Sequence, residues 1–479
     1  MKAFKDAKWV SSSVFVSALL STVRSIVVLR LLGPVLIGAW KTALLVDTLG
    51  EISRAGVLRG MAIRVPVLNG QGNTEEADKN AAAAGGFLTW LGLFSFSVIF
   101  AASFFVADPN VRLALRYMGL VVGLSQPYYF IRDLTGTRHR FGLRATETFL
   151  RAVIEVTVSI SLCRVIGLAG LGLGAVLSII GAAIFLLARQ RVPFNFAVPR
   201  SLLMGMMKIG VPFSLTEAGY ELFRRVDVFL IAIFLGPTQV GYYGISIMIM
   251  DFAVLLADKG VSQVLSPHLL KEYGRTGSHS DVATYYEMPV RLFCYVLPPL
   301  LAIGTLVIGP LVHLLLPQYA AGIPSAEITL WCVMFVALHF SVHAFFVASD
   351  MVKKIIKLQT ATLFVALILQ AACLKLGYGI MGAAWCTLAV AAGWAALELF
   401  VARRACGHSV SETMSFISVV YLPIVACFTL RHLVDIFAVD ATQPFLPVLR
   451  AGSLLLCYLP VFFLYENKFS MLRTVRQAV

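Results

Sequence analysis

Residues 32–47 read LGPVLIGAWKTALLVD, and residues 235–251 read LGPTQVGYYGISIMIMD. In each copy an apolar run stops at Leu-Gly-Pro, a further glycine follows (Gly38, Gly241), and an aspartate lies deep in the next apolar run (Asp47, Asp251). Gly-Pro punctuates a helix, because glycine tolerates positive φ and proline has no N–H to donate. Working outward, Gly56 with Pro66 is answered by Gly260 with Pro267. Leu171-Gly172-Leu173-Gly174-Ala175 is answered by Gly379-Ile380-Met381-Gly382-Ala383. Short Gly/Pro turns recur by chance, but three matches in order, all offset by about 200 residues, indicate a duplicated bundle. Both copies begin on the same side, so they are parallel repeats, an arrangement found in transporters with the substrate path between the halves.

The solvent of this fold follows from composition. Of 479 residues, 59% are hydrophobic and 13% charged, whereas soluble domains carry roughly 25% charged residues. The expected fold class is all-α, a polytopic membrane protein of about fourteen helical spans. They are Val10–Leu32, Ala39–Ala62, Ala82–Val106, Val111–Ile131, Thr146–Arg164, Ile166–Ala188, Met206–Leu235, Val240–Leu265, Pro289–Leu316, Ser325–Ser349, Ile355–Leu376, Gly379–Ala402, Met414–Val434 and Leu446–Tyr465. The longest polar interludes, Pro66–Asn80, Arg132–Thr146 and Ser266–Glu287, read as loops. The expected organisation is a six-helix bundle (1–188), a basic connector (189–205), a second six-helix bundle (206–402), and two extra spans with a tail (403–479).

A net charge of +14 raises nucleic acid as a partner, but the basic residues sit in short clusters between apolar runs, so none is expected. Lys2, Lys5 and Lys8, Arg59 and Arg64, the cluster Arg132, Arg138, Arg140 and Arg144, then Arg189, Arg191 and Arg200, Lys271 and Arg275, Lys353, Lys354 and Lys357, and Arg403 with Arg404 fall on one side. Lys468, Arg473 and Arg476 join them. The opposite loops hold little beyond Arg112, Arg164, Lys375 and Arg431. The positive-inside rule then places both termini in the cytoplasm, with Arg138-His139-Arg140 and Arg144 chiefly a topology determinant. The eight cysteines lie in or beside apolar runs and read as packing residues. No cofactor, metal site or Walker A sequence is present to suggest chemistry.

Charges inside spans need a partner, water or a substrate, since each costs at least ~2.5–3.5 kcal/mol at mid-membrane. Arg24 lies above Ser17 and Ser21 on one face of span one. Span two carries Asp47, Glu51 and Arg54, span seven carries Glu217, Glu221, Arg224, Arg225 and Asp227, and span eight carries Asp251, Asp258 and Lys259. Shifting Arg24 by the repeat offset lands on Asp227, and Asp47 lands beside Asp251. Arg24, Asp47, Glu51, Arg54, Glu217, Glu221, Arg224, Asp227 and Asp251 are therefore the candidate cavity residues, with Asp227 or Asp47 the expected counter-charges for Arg24. The competing reading, pairing within one helix, suits Glu147, Arg151 and Glu155 of span five, spaced i, i+4 and i+8. His339 and His343 share a helical face. A histidine there is first a helix–helix hydrogen-bond donor, with proton coupling as the alternative.

Val28-Leu29-Arg30-Leu31-Leu32-Gly33-Pro34 with Gly38 resembles the R-x-L-G-P…G signature closing the first span of bacterial polysaccharide flippases. Arg225-Val226-Asp227-Val228-Phe229-Leu230-Ile231, followed by Leu235-Gly236-Pro237 and Val240-Gly241-Tyr242-Tyr243, resembles their seventh-to-eighth-span signature. These proteins belong to the multidrug/oligosaccharidyl-lipid/polysaccharide (MOP) superfamily. The resemblance implies a non-enzymatic transporter of the bacterial inner membrane, with a cavity that opens alternately to each side. It would move undecaprenyl-pyrophosphate-linked oligosaccharide units from the inner to the outer leaflet, beside membrane lipids, a polysaccharide polymerase and glycosyltransferases. An arginine suits pyrophosphate because its planar fork donates two parallel hydrogen bonds. A drug or cation exporter of the same superfamily is the first alternative, and a membrane polysaccharide polymerase or ligase the second.

Overall fold

The computed structural model describes residues 2–257, 263–349 and 351–437, with residues 452, 458–460, 462, 463 and 466. Most of the expected last span, Asp258, Lys259, Gly260 and the C-terminal basic residues lie outside the described residues. Among those described there are helices and no strand. In chain order they are α1 (Lys2–Ser53), α2 (Val57–Gly70), α3 (Thr74–Ser103), α4 (Pro109–Thr137), α5 (Phe141–Ile166), α6 (Leu168–Arg189), α7 (Arg200–Phe234), α8 (Pro237–Tyr242), α9 (Gly244–Ala257), α10 (Gln263–Thr276), α11 (Ala283–Leu315), α12 (Ile323–Ala348), α13 (Val352–Lys375), α14 (Gly379–Ala405) and α15 (Val410–Phe437). Eight of them, α1, α3, α6 and α11 to α15, are long and apolar enough to cross a membrane. Helices α4, α5 and α7 have 29, 26 and 35 residues, enough for a ~30 Å core at 1.5 Å per residue, and they carry the charges described below.

The repeat is visible in the backbone. Gly33 (φ 70°, ψ 173°) breaks α1 ahead of Pro34. Gly236 (φ 85°, ψ 171°) precedes Pro237 at the start of α8. The two glycines share a conformation that a side chain would strain. The turns also pack on each other. A Cβ on Gly38 would lie 1.9 Å from the Pro237 carbonyl oxygen, and one on Gly241 would lie 1.8 Å from that of Pro34. Only glycine lets the backbones meet this closely.

Two expected spans are interrupted. Ala39–Ala62 is not continuous, because α1 ends at Ser53 and the chain turns through Ala55 (φ 46°) and Gly56 (φ 75°) before α2. Val240–Leu265 is broken at Tyr243, between α8 and α9, and residues 258–262 lie outside the described residues. The polar interludes are less loop-like than expected. Residues 57–70 and 263–276 are helical, and the Arg132–Thr146 interlude shrinks to residues 138–140 between α4 and α5. Their polar residues sit on helices that continue past the apolar segments.

By packing, the chain divides into two compact units, residues 1–244 and 245–479. Helix α7, which the repeat assigns to the second half, packs on α1 and α2 and so belongs to the first unit. Its approach to α2 is glycine-mediated: a Cβ on Gly60 would meet the Met206 carbonyl oxygen at 2.0 Å, and one on Gly210 that of Gly56 at 1.9 Å. The connector between α6 and α7 is held down. Asn195 N–H donates to Ala82 O at 2.9 Å, and Gln190 Nε2 donates to Ile131 O and Thr135 Oγ1. Arg138 and Arg140 donate to the carbonyls of Arg191 and Arg189. The basic cluster of residues 138–140 thus clips the connector in place.

The second unit is built around α12, which is buried on every side against α11, α14 and α10, as expected of a helix apolar all round. Helix α13 shows the inside-out pattern of a lipid-facing helix. Phe364, Val365, Ile368 and Leu369 are exposed, while Gln359 and Gln370 are buried. Gln370 donates to Ala383 O and Thr387 Oγ1 of α14. The seven described cysteines are free thiols. Cys373 of α13 and Cys386 of α14, 13 residues apart, bring their sulfurs to 2.9 Å.

Candidate functional site

Ionisable side chains in the first unit gather on α1, α4, α5 and α7. Arg24 is not partnered by Asp227 or Asp47. Its Nη1 lies 2.8 Å from Glu155 Oε1 of α5, and both side chains are 22% exposed. Asp227 is engaged elsewhere. It is buried, and accepts hydrogen bonds from Tyr243 OH at 2.8 Å and the Val228 N–H at 2.7 Å. The Tyr243 bond ties α7 to the residue following α8.

Self-neutralisation along α5 is also not what forms. Glu147 accepts from Tyr128 OH and lies 3.5 Å from Arg132 Nε of α4, while Glu155 goes to Arg24. The stripe on α5 pairs outward with two neighbouring helices. Arg151, left between them, stacks over Tyr128 with its guanidinium carbon 5.1 Å from the ring centroid. Its Nη1 is 3.5 Å from Tyr128 OH, and its buried Nε has no hydrogen-bond partner.

Arg54 repeats this arrangement beside it. Its Nε donates to Gln126 Oε1 at 2.8 Å, and its guanidinium lies 4.5 Å over the Tyr129 ring. Glu51 is 3.9 Å away, and the buried Nη2 has no hydrogen-bond partner. Gln126 is itself fixed by donating to Gly50 O at 3.1 Å, where the α1 backbone is about to break. Asp47 lies within electrostatic reach of Arg54, Arg151, Glu221 and Arg225, and Glu51 within reach of Asp47, Glu217 and Glu221. On α7, Glu221 pairs with both Arg224 and Arg225. Glu217, half-exposed, forms a two-pronged pair with Arg59 of α2. Asp251 is half-buried on α9, in the second unit.

The structure therefore brings Asp47, Glu51, Arg54, Glu217, Glu221 and Arg224 into one network, with Arg24 joined through Glu155 and Arg151. Sequence reasoning missed Arg151, Tyr128, Tyr129, Arg59 and Glu155 as members. The spacing on α5 was visible, but no sequence signal said which helix its charges would face. Chemically, the network offers arginines braced by aromatic rings, with donors still unspent, among carboxylates that keep the resting site near neutrality. Such a site can take a multivalent anion by exchanging internal ion pairs for ligand contacts.

The family model described as "Polysaccharide biosynthesis protein" matches residues 72–320. No curated protein matches the sequence significantly. Among solved structures, the inward closed conformation of the lipid II flippase MurJ is similar, with TM-score 0.67 and 11% identity, covering 96% of this chain and 98% of that one. The inward-facing conformation of a multidrug resistance MATE family transporter of the MOP superfamily gives TM-score 0.63 and 15% identity, covering 82% and 96%. A MOP superfamily transporter from Pyrococcus furiosus, described by a binding pocket of reverse polarity, gives TM-score 0.61 and 13% identity, covering 84% and 96%. At these identities the likeness establishes the fold.

Proposed function

Since the chain belongs to the polysaccharide biosynthesis protein family and has the fold of MOP superfamily transporters, we propose that it flips lipid-linked oligosaccharide units across the bacterial inner membrane. The unit would be carried on undecaprenyl pyrophosphate and passed from the inner to the outer leaflet by alternating access. Both termini would be cytoplasmic. The two sequence repeats, 1–188 and 206–402, would supply its two six-helix bundles. A polymerase and glycosyltransferases would work beside it.

The observation that carries this reading is the pair Arg54 and Arg151. Each lies over a tyrosine of α4, and each keeps a buried nitrogen that no protein acceptor uses. A pyrophosphate supplies the acceptor oxygens these groups lack, and its charge is met without desolvating a lone cation. Arg24 would join them by exchanging Glu155 for the phosphate. A cation exporter would need a surplus of carboxylates, and here arginines match them.

The test is restoration of surface polysaccharide in a flippase-deficient strain, with membrane abundance measured alongside. Arg54→Gln and Arg151→Gln should each lower export by about tenfold or more, the size of one charge-assisted hydrogen bond, at near-normal abundance. Cationic-dye efflux should be absent. Dye efflux that depends on Asp47 and Glu51 would favour the exporter instead.

A further inference from the structure

The second unit contains an ionisable site that the pyrophosphate reading does not use. His339, near the middle of α12, places Nδ1 2.8 and 3.0 Å from the two carboxylate oxygens of Glu398 on α14. The side chains are 6% and 1% exposed. One helical turn further along α12, His343 lies with its ring 5.3 Å from that of His339, and its buried Nδ1 has no hydrogen-bond partner. The Trp394 indole lies tilted at 44° against the His339 ring, with centroids 4.5 Å apart. Three titratable groups thus share a buried space between α12 and α14.

Among the described residues, the nearby charges have partners of their own or lie exposed. On α15, Tyr421 interacts electrostatically with Glu398, but its hydroxyl donates to Ala392 O at 2.6 Å. On α11, Glu287 is taken by Arg291, Arg403 and His408, and Arg403 also lies over Phe416. Lys353, Lys354 and Lys357 of α13 are exposed. On α10, Glu272 pairs with Arg275.

We infer that His339 and Glu398 form an exchangeable proton site, the place where this transporter takes up and gives off a coupling proton. An ionised carboxylate only accepts, so Nδ1 carries a hydrogen toward Glu398 and Nε2 is the nitrogen that binds the exchangeable proton. With that proton on Nε2 the pair is neutral. Without it, an uncompensated negative charge remains inside an apolar helix pair, a state stable only when water reaches it. The step breaks and remakes one N–H bond, with water as the proton acceptor and donor. Proton occupancy is therefore linked to which conformation admits water, the requirement for coupling. His343, with an unspent ring nitrogen beside the pair, is placed to relay the proton.

The site rests on geometry, and only its role in driving transport rests on the flippase reading, so two measurements separate them. In purified protein, the Trp394 contribution to fluorescence, taken as wild type minus Trp394→Phe, should change with pH, because a protonated imidazole quenches an indole in ring contact with it. Glu398→Gln should move the midpoint by about one pH unit or more. His339→Gln should abolish the transition. A flat wild-type difference signal, or an unchanged midpoint in Glu398→Gln, would overturn the site. If neither variant can be purified, the wild-type titration still decides it. In cells, Glu398→Gln should stop polysaccharide export at normal membrane abundance. Full export beside an altered titration would make the proton structural and end the coupling role. Failure of the wild type to restore export would count against the flippase reading alone.

Discussion

Arg24 and Glu155 form an ion pair between α1 and α5, which changes how Arg24 must be tested. Replacing the arginine alone leaves a carboxylate unpaired within the helix bundle, a defect costing about 3–5 kcal/mol when the pair is buried. Arg24→Ala should therefore lower membrane abundance as well as export. Arg24→Ala with Glu155→Gln removes both charges and should recover abundance without recovering export. Recovery of both would reduce Arg24 to a strut. Arg24→Lys keeps the charge but loses the fork and should transport partially. At this scale the sequence was half legible. That Arg24, Asp47 and Arg54 sit inside spans follows from counting along the chain. Their partners come from other helices, and the repeat offset pointed to Asp227, which is instead committed to Tyr243.

Among the elements, the glycine contacts and the clipped connector make separate predictions. Gly60→Leu forces α2 away from the Met206 carbonyl and should cost at least ~1–3 kcal/mol, as overpacking does. It would be read as a lower unfolding temperature in detergent. The connector should resist trypsin in inverted membrane vesicles, although it contains Arg189 and Arg191. Arg138→Gln with Arg140→Gln removes the two donors to its carbonyls, and cleavage there should speed up while insertion stays normal. Normal resistance would return the cluster to a purely topological role. Element positions were largely legible because apolar run length sets them. The breaks at Gly56 and Tyr243 were not, since glycine and tight packing impose these turns and apolar run length does not.

For the whole molecule, orientation is the open expectation, and loop charge is its physical basis. In a background without native cysteines, cysteines at Lys5, His139 and Val475 should resist an impermeant thiol reagent in intact cells. Those at Ala320 and Asp440 should label. Labelling at position 139 would invert the assignment. Fold class was readable from composition, because a chain with 13% charged residues has no aqueous solution to its folding problem. The packing boundary near Gly244 was not, because it depends on where α7 rests rather than on where the repeat begins.

The contact of Gly38 with the Pro237 carbonyl and of Gly241 with the Pro34 carbonyl has a bearing on ancestry. Each turn presents to the other the same surface that it receives. In two separate half-length chains this would be an isologous interface, the self-complementary kind that a two-fold homodimer uses. A fused gene inherits such a contact ready-made, and each side is then free to drift except where a side chain would touch its twin's backbone. Alanine at position 38 should thus be as damaging as alanine at position 241. The double variant should be less damaging than the two added, because one clash already separates the surfaces that the other would disturb.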